Sequence, residues 1–451
     1  MAKAATVAQP GPATRTGRWS RNFRLVYAAH ATSKVGTQIS YLAVPVLAVS
    51  VLGASPAQVG LLGVLSTAAF LLIGLPAGVW VDRAPRRSIM IAADVARAAL
   101  LSSVPLTWLT GHLSFGQLCV VVSLLGVGTV FFDVAAQSYL PQVVGRDRLV
   151  AANALLASTA AGIQVAGRGV GGYLVGLLTA PVTVALDAAS YLCSALLLAR
   201  LRPGDASAGE PTVAPEAGRA SGADDVSGDG IADGAGSASG AAAAGFRRQL
   251  VAGLRHVLGD PLLRPIALSG ALVNLSVHLA MTMLPVLFLR ELKLSAAVLG
   301  LFVATGGIGI FLGAATARRL ARWLGDGPAL CWSGVVTAPL GAALAILDRG
   351  PILWLGAAGW LLATWRIGVH NVIQVSLRQW VTPDAMLGRM NATFRFLLTG
   401  ALAVGAGLAG LIGDVAGPRL ALWAGAAGLA LSWLPLLLSP VRRLRHADRA
   451  R

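Results

Sequence analysis

The chain has 451 residues, 56% of them apolar and only 12% charged, whereas a soluble domain carries about a quarter charged residues. Repeated apolar runs of ~20 residues, each long enough to cross a bilayer, exclude a string of soluble domains and define an all-α integral membrane protein. The net charge of +17 sits mostly at the ends of those runs, a pattern that belongs to a lipid bilayer and not to nucleic acid.

In chain order, residues 1–24 form a polar tail with Lys3, Arg15, Arg18, Arg21 and Arg24, expected to be loose and cytoplasmic. No cleavable signal peptide is expected, because no small-residue cleavage site follows a short apolar run. Twelve apolar spans follow, at 25–51, 57–81, 88–109, 116–139, 150–177, 181–200, 265–289, 296–317, 328–347, 352–377, 390–412 and 418–438. They divide into an N-terminal six-helix bundle at 25–200 and a C-terminal one at 265–438, separated by a cytoplasmic linker at 201–264 and closed by a basic tail at 439–451. Within the linker, 201–245 holds seven acids and two arginines among Ala, Gly and Ser. It lacks the apolar content to fold, so it is expected to be disordered. Cys119, Cys193 and Cys331 all fall in apolar runs without paired spacing, so neither a disulfide nor a metal site is expected.

Lys and Arg fix the expected orientation. Both tails, the linker region and the loops after spans two, four, eight and ten hold 27 of them; the opposite loops hold four, Arg290, Lys293, Arg349 and Arg419. By the positive-inside rule both termini face the cytoplasm. The chain also repeats itself. Asn153-Ala154 aligns with Asn391-Ala392 at a shift of 238, and Val59-Gly60-Leu61 with Leu299-Gly300-Leu301 at a shift of 240. Two regions with nearly one offset imply six-span halves related as parallel repeats about an axis normal to the membrane.

The sequence GLPAGVWVDRAPRRS at 74–88 leaves the apolar run of span two in a cluster of one acid and three arginines. Gly78, Asp82-Arg83 and Arg86-Arg87 resemble the signature loop between the second and third helices of the major facilitator superfamily, with Pro85 where that family has glycine. The resemblance implies the twelve-helix, two-bundle fold of that family. It makes Asp82 a gate latch that meets the start of span eleven, where a helix N-terminus attracts a carboxylate. Arg83, Arg86 and Arg87 then bind nearby acids or lipid phosphates. In span five, Gly167-Arg168-Gly169-Val170-Gly171-Gly172 resembles the family's glycine-rich antiporter motif, with Arg168 at the family's proline. Gly167/Gly171 and Gly309/Gly313 have the spacing of close helix contacts and are expected to meet between the halves. Gly405 to Gly410 satisfies a dinucleotide fingerprint only in form, since no strand precedes it.

Ionisable groups inside spans cost ~2.5–3.5 kcal/mol each on insertion scales, so each needs a partner or a purpose. Lys34 in span one and Asp133 in span four lie at matching depths, and first and fourth helices line the cavity in the family. They are the leading candidates for a charge site and for proton coupling; a static pair that only fixes packing is the alternative. The repeat carries Lys34 to Asn274, Asp133 to Asn371 and Gln38 to His278. His278 and His370 are alternative proton carriers by their intrinsic pKa, and Arg366 adds a cation one turn before His370. Arg168 with Asp187 reads as a static pair, Asp94 and Arg97 as a clamp on the signature loop, and Arg395 as facing Asp82 or lipid phosphates.

The segment FFDVAAQSYLPQVV at 131–144, followed by LVAANA, resembles the branch of the superfamily that contains enterobactin exporters and macrolide-efflux proteins. That resemblance implies a bacterial plasma-membrane transporter, monomeric and proton-coupled, exporting a drug, macrolide, siderophore or other secondary metabolite by alternating access. Arg168 keeps an importer or uniporter open, and a sensor or scaffold that does not transport is a second alternative. No Walker A loop, zinc spacing or nucleophile–base set supports an enzyme or a bound cofactor.

Overall fold

A computed structural model describes residues 19–74, 76–201 and 251–444. The expected disordered linker and both outer tails fall almost wholly outside the described residues.

Within the described residues the chain is helical throughout. The N-terminal half comprises α1 (Arg21–Ser50), α2 (Pro56–Ile73), α3 (Pro76–Asp82), α4 (Arg86–Leu109), α5 (Phe115–Val144), α6 (Leu149–Leu178) and α7 (Ala180–Ala199). The C-terminal half comprises α8 (Leu263–Val286), α9 (Ala296–Leu324), α10 (Asp326–Thr337), α11 (Pro351–Val381), α12 (Asp384–Ala416), α13 (Pro418–Leu431) and α14 (Leu434–Leu437). Short polar caps start several of them. Ser20 accepts from Phe23 N at 3.1 Å, and Ser55 forms a reciprocal capping box with Gln58 at the head of α2.

Among the described residues, eleven helices are long and apolar enough to cross a membrane. The twelfth expected span, α1, has 30 residues but is diluted by Ser33, Lys34, Thr37, Gln38 and Ser40, and its polar face is what the other helices enclose. Proline explains most departures from the expected spans, because it removes a backbone donor and crowds the preceding turn. Span two stops at Ile73 and restarts as α3 on Pro76. Span nine tightens to a 3₁₀ helix from Ala338 to Leu344 at Pro339. The last span breaks before Pro435.

The halves pack alike. In one, α1 lies on α6 and α7, and α2 on α5; in the other, α8 lies on α12 and α13, and α9 on α11. Two helix pairs form most of the joint between them, α2 with α12 and α6 with α9, and α8 adds smaller contacts to α1 and α2. The repeat relates these joints residue by residue. A Cβ on Gly172 of α6 would fall 2.8 Å from Gly300 N of α9, and one on Gly60 of α2 would fall 2.6 Å from Gly410 Cα of α12. Gly60 and Gly300 are 240 residues apart, Gly172 and Gly410 238, so each contact is the other's image under the repeat.

These joints lie at the end of the bundle remote from Arg21, here the far end. The apolar core there is one body drawn from both halves, including Leu42, Val59, Leu279 and Leu299. At the near end it divides into two separate clusters, one around Phe23, Met90 and Phe132 and the other around Leu263, Leu330 and Phe394. The two halves therefore meet at the far end and part towards the near end. Large apolar side chains such as Leu72, Trp323 and Trp354 stay exposed on the outside, as a lipid-facing surface requires.

Candidate functional site

Where the halves part, α1 and α5 bring Lys34 and Asp133 together. Lys34 Nζ donates to Asp133 Oδ1 at 3.1 Å and to Oδ2 at 3.5 Å. Their side chains keep 27% and 30% of their surface exposed, so the pair is neither sealed in a core nor fully solvated. One turn before Lys34, His30 stacks on Phe132 with ring centroids 6.3 Å apart. The other half contributes Arg395 of α12, whose guanidinium lies 4.1 Å from the ring centroid of Phe70 on α2 and within electrostatic reach of Asp133. Arg395 thus spans the seam between the halves on an aromatic face.

The remaining expected site residues are dispersed. Gln38 is half-buried in α1 with its Cβ against Gly167, where an added Cβ would fall 2.7 Å away. Asn274 donates to Gly270 O at 2.9 Å, and His278 is half-buried one turn later on α8. Asn371 is exposed and accepts from Gln374 at 3.4 Å. Arg366 and His370 are not brought to Lys34 and Asp133. Both are buried inside the C-terminal half, where Arg366 donates to Ser432 Oγ at 2.6 Å.

The signature loop divides likewise. Gly78 has open space around it, Arg83 is exposed, and the side chain of Asp82 lies outside the described residues. Arg87 takes a structural role, donating through Nε to Leu198 O at 3.0 Å and through Nη2 to Ala199 O at 2.8 Å. It caps the carbonyl end of α7, where a cation is favoured. Asp94 and Arg97 do not clamp the loop; they pair with each other inside the N-terminal half. Asp187 accepts from Ser190, and the Arg168 side chain lies outside the described residues. Gly167 and Gly171 face Gln38 and Ile39 of α1, and Gly309 and Gly313 face α11, so both pairs pack within a half. Gly169, Gly172 and Gly176 are the ones that meet Ala304, Gly300 and Ala297 across the seam. Helical spacing identifies a small-residue face but not its rotation about the axis, hence the slip from one face to the next.

His30, Phe70 and the seam position of Arg395 are missed by sequence reasoning. The repeat offered no signal for them, because each acts through a neighbour on another helix.

Two pseudo-equivalent bundles with a polar, charge-bearing seam open at one end define a multi-pass membrane carrier. The profile of the Major Facilitator Superfamily matches residues 26–370, and the chain belongs to that family. It is a transporter and not an enzyme, and its family carries small molecules across membranes. It is 28% identical to the enterobactin exporter EntS of Escherichia coli O1:K1 / APEC over 432 residues, 94% of this chain and 93% of that one. Among solved structures it is similar to an inward-facing bacterial homologue of the iron transporter ferroportin, with TM-score 0.68 and 17% identity over 93% of this chain and 98% of that one. For an outward-facing structure of a bacterial ferroportin homologue the TM-score is 0.55, with 16% identity over 93% and 99%.

Proposed function

We propose that this protein is a proton-coupled exporter of a small organic compound, of the siderophore or macrolide kind, working by alternating access in the bacterial plasma membrane with both termini cytoplasmic. The observation that carries the reading is the half-exposed Lys34–Asp133 pair at the open end of the seam, with Arg395 facing it from the other half. While Asp133 is ionised it neutralises Lys34. Ionised Asp133 also offers an acceptor to a hydroxyl or ammonium donor of a substrate, and a proton on Asp133 removes that acceptor. Proton and substrate therefore compete for one carboxyl group and occupy it in alternate states, as exchange in opposite directions requires. The kinship to an enterobactin exporter supports the substrate class. The separation of the halves at the near end, and the higher likeness to an inward-facing structure, support a state open to the cytoplasm.

The test is transport by the full chain in proteoliposomes of defined orientation, with a catecholate siderophore and a macrolide as probes under an imposed pH gradient. The reading expects probe to move from the face carrying the termini to the opposite one as protons move the other way. Movement of probe in the same direction as protons, or at a rate indifferent to the gradient, would contradict it.

A further inference from the structure

A second set of charges lies behind α1, on the face turned away from Asp133, and transport through the seam makes no use of it. Asp94 and Arg97 of α4 form an ion pair. The Arg97 guanidinium is held between the rings of Phe132 at 4.6 Å and Tyr191 at 4.2 Å. Asp187 of α7 is seated against Gly36 of α1, so closely that a Cβ there would collide with Asp187 Oδ1 and Ser190 Oγ. Asp94, Arg97 and Asp187 are 0%, 2% and 1% exposed. Lys34 and Gly36 stand two residues apart, about 200° around a helix, so α1 separates this cluster from the Lys34–Asp133 pair.

The charges do not balance. Two carboxylates share one guanidinium, and Arg97 is bonded to Asp94. Asp187 accepts from Ser190 Oγ at 3.1 Å, with the Ser40 hydroxyl near it. The Tyr191 hydroxyl is engaged by Thr37 at 3.0 Å. The Ser194 hydroxyl lies beside Asp94 as the Ser40 hydroxyl lies beside Asp187, so hydroxyls and one guanidinium are the polar groups that serve the two carboxyl groups. Beyond the cluster, the nearest titratable group is His30 of α1, with the Lys34–Asp133 pair past it on the other side of α1; Arg168 on α6 has its side chain outside the described residues. His30 is within electrostatic reach of Arg97, Lys34 and Asp133. With both carboxylates ionised, the cluster holds a lone negative charge in a buried interior. Such an arrangement is disfavoured, and two carboxyl groups sharing a site retain a proton.

We propose that the Asp94–Arg97–Asp187 cluster is a proton-binding site, distinct from the Lys34–Asp133 pair, that holds one proton on its carboxyl groups, chiefly on Asp187. The proton cancels the excess charge and converts Asp187 from an acceptor only into a group that can donate to the neighbouring hydroxyls. Ser190, half-buried beside it, is the exchange point. His30 lies between this cluster and the seam, so gain or loss of the proton alters the field felt by Lys34 and Asp133.

The test reads the carboxyl group itself and needs no substrate. Infrared difference spectra of the purified full chain in lipid, recorded in H2O and D2O across a pH series, report the C=O stretch of a protonated carboxylic acid. The expected result at neutral pH is an isotope-sensitive band that fades as pH rises, persists in Asp133→Asn and is lost in Asp187→Asn. Asp187→Glu, which keeps the acid should Asp187→Asn fail to fold, is expected to shift the band. Absence of the band from the wild type overturns the proposal. So does a band unchanged in Asp187→Glu, or one lost in Asp133→Asn alone. Failure of transport coupling leaves these spectra unaffected, so the two readings fail separately.

Discussion

The far-end joint gives the sharpest mechanical prediction. Gly172→Ala adds one methyl group where the backbone of Gly300 already sits: its Cβ would fall 2.8 Å from Gly300 N and 2.9 Å from Leu42 Cδ2. Neither glycine has a side chain to turn aside, so α6 and α9 must separate. Overpacking of this kind costs about 1–3 kcal/mol, and the strain exists only while the far end is closed. The ratio of near-end-open to far-end-open molecules is therefore expected to fall by about 5- to 150-fold. Double electron–electron resonance reads this directly, with spin labels on His112 and Asp348, exposed in far-end loops of opposite halves, after replacing Cys119, Cys193 and Cys331. The distance distribution is expected to lengthen in Gly172→Ala and in its repeat image, Gly410→Ala. Gly400→Ala, where nothing lies within 4 Å, is expected to leave it unchanged. Unchanged distances in both joint variants, with both folded, would refute the claim that backbone contact holds this end shut.

Phe70→Leu removes the ring beneath Arg395, and a cation–π contact of this exposure is worth about 0.5–2 kcal/mol. Labels on Asp147 and Arg322 are expected to report a wider near end in that variant. Arg87→Ala strips two charge-assisted hydrogen bonds from the end of α7 and is expected to lower stability by about 1–2 kcal/mol, seen as a lower melting temperature, with Arg87→Lys recovering part of the loss because it keeps charge without the fork. Gly36→Ala drives a methyl group into Asp187 and Ser190; a loss of about 1–3 kcal/mol is expected in the same assay, while Gly162→Ala, in open space on α6, is expected to be neutral.

Membrane class, helical fold and family were legible because each rests on one-dimensional signals: run length, charge at run ends and a fixed repeat offset. Depth is also one-dimensional, and counting residues from a span's end was enough to pair Lys34 with Asp133. Rotation about each helix axis is not. Small residues occur on several faces of α6 and α9, so the spacing of Gly167 and Gly309 could not say which face turns to the other half. The same blindness offered His370 as a proton carrier and Arg366 as a cation beside it, although the structure buries both inside the C-terminal half. It also separated Asp94 and Arg97 from Asp187, since their common cluster depends on four helices at once. The breaks at Pro76, Pro339 and Pro435 were readable in principle, but an unbroken apolar run outweighed a single proline.

On the proposed function, Asp133 carries the coupled proton opposite Lys34. The measurement that tests it most directly is substrate-induced proton movement in proteoliposomes, wild type beside Asp133→Asn, using siderophore and macrolide probes with probe binding measured in parallel. The wild type is expected to move protons in the direction opposite to the probe, and Asp133→Asn to bind the probe but move no protons. Coupled proton movement that persists undiminished in Asp133→Asn would contradict it.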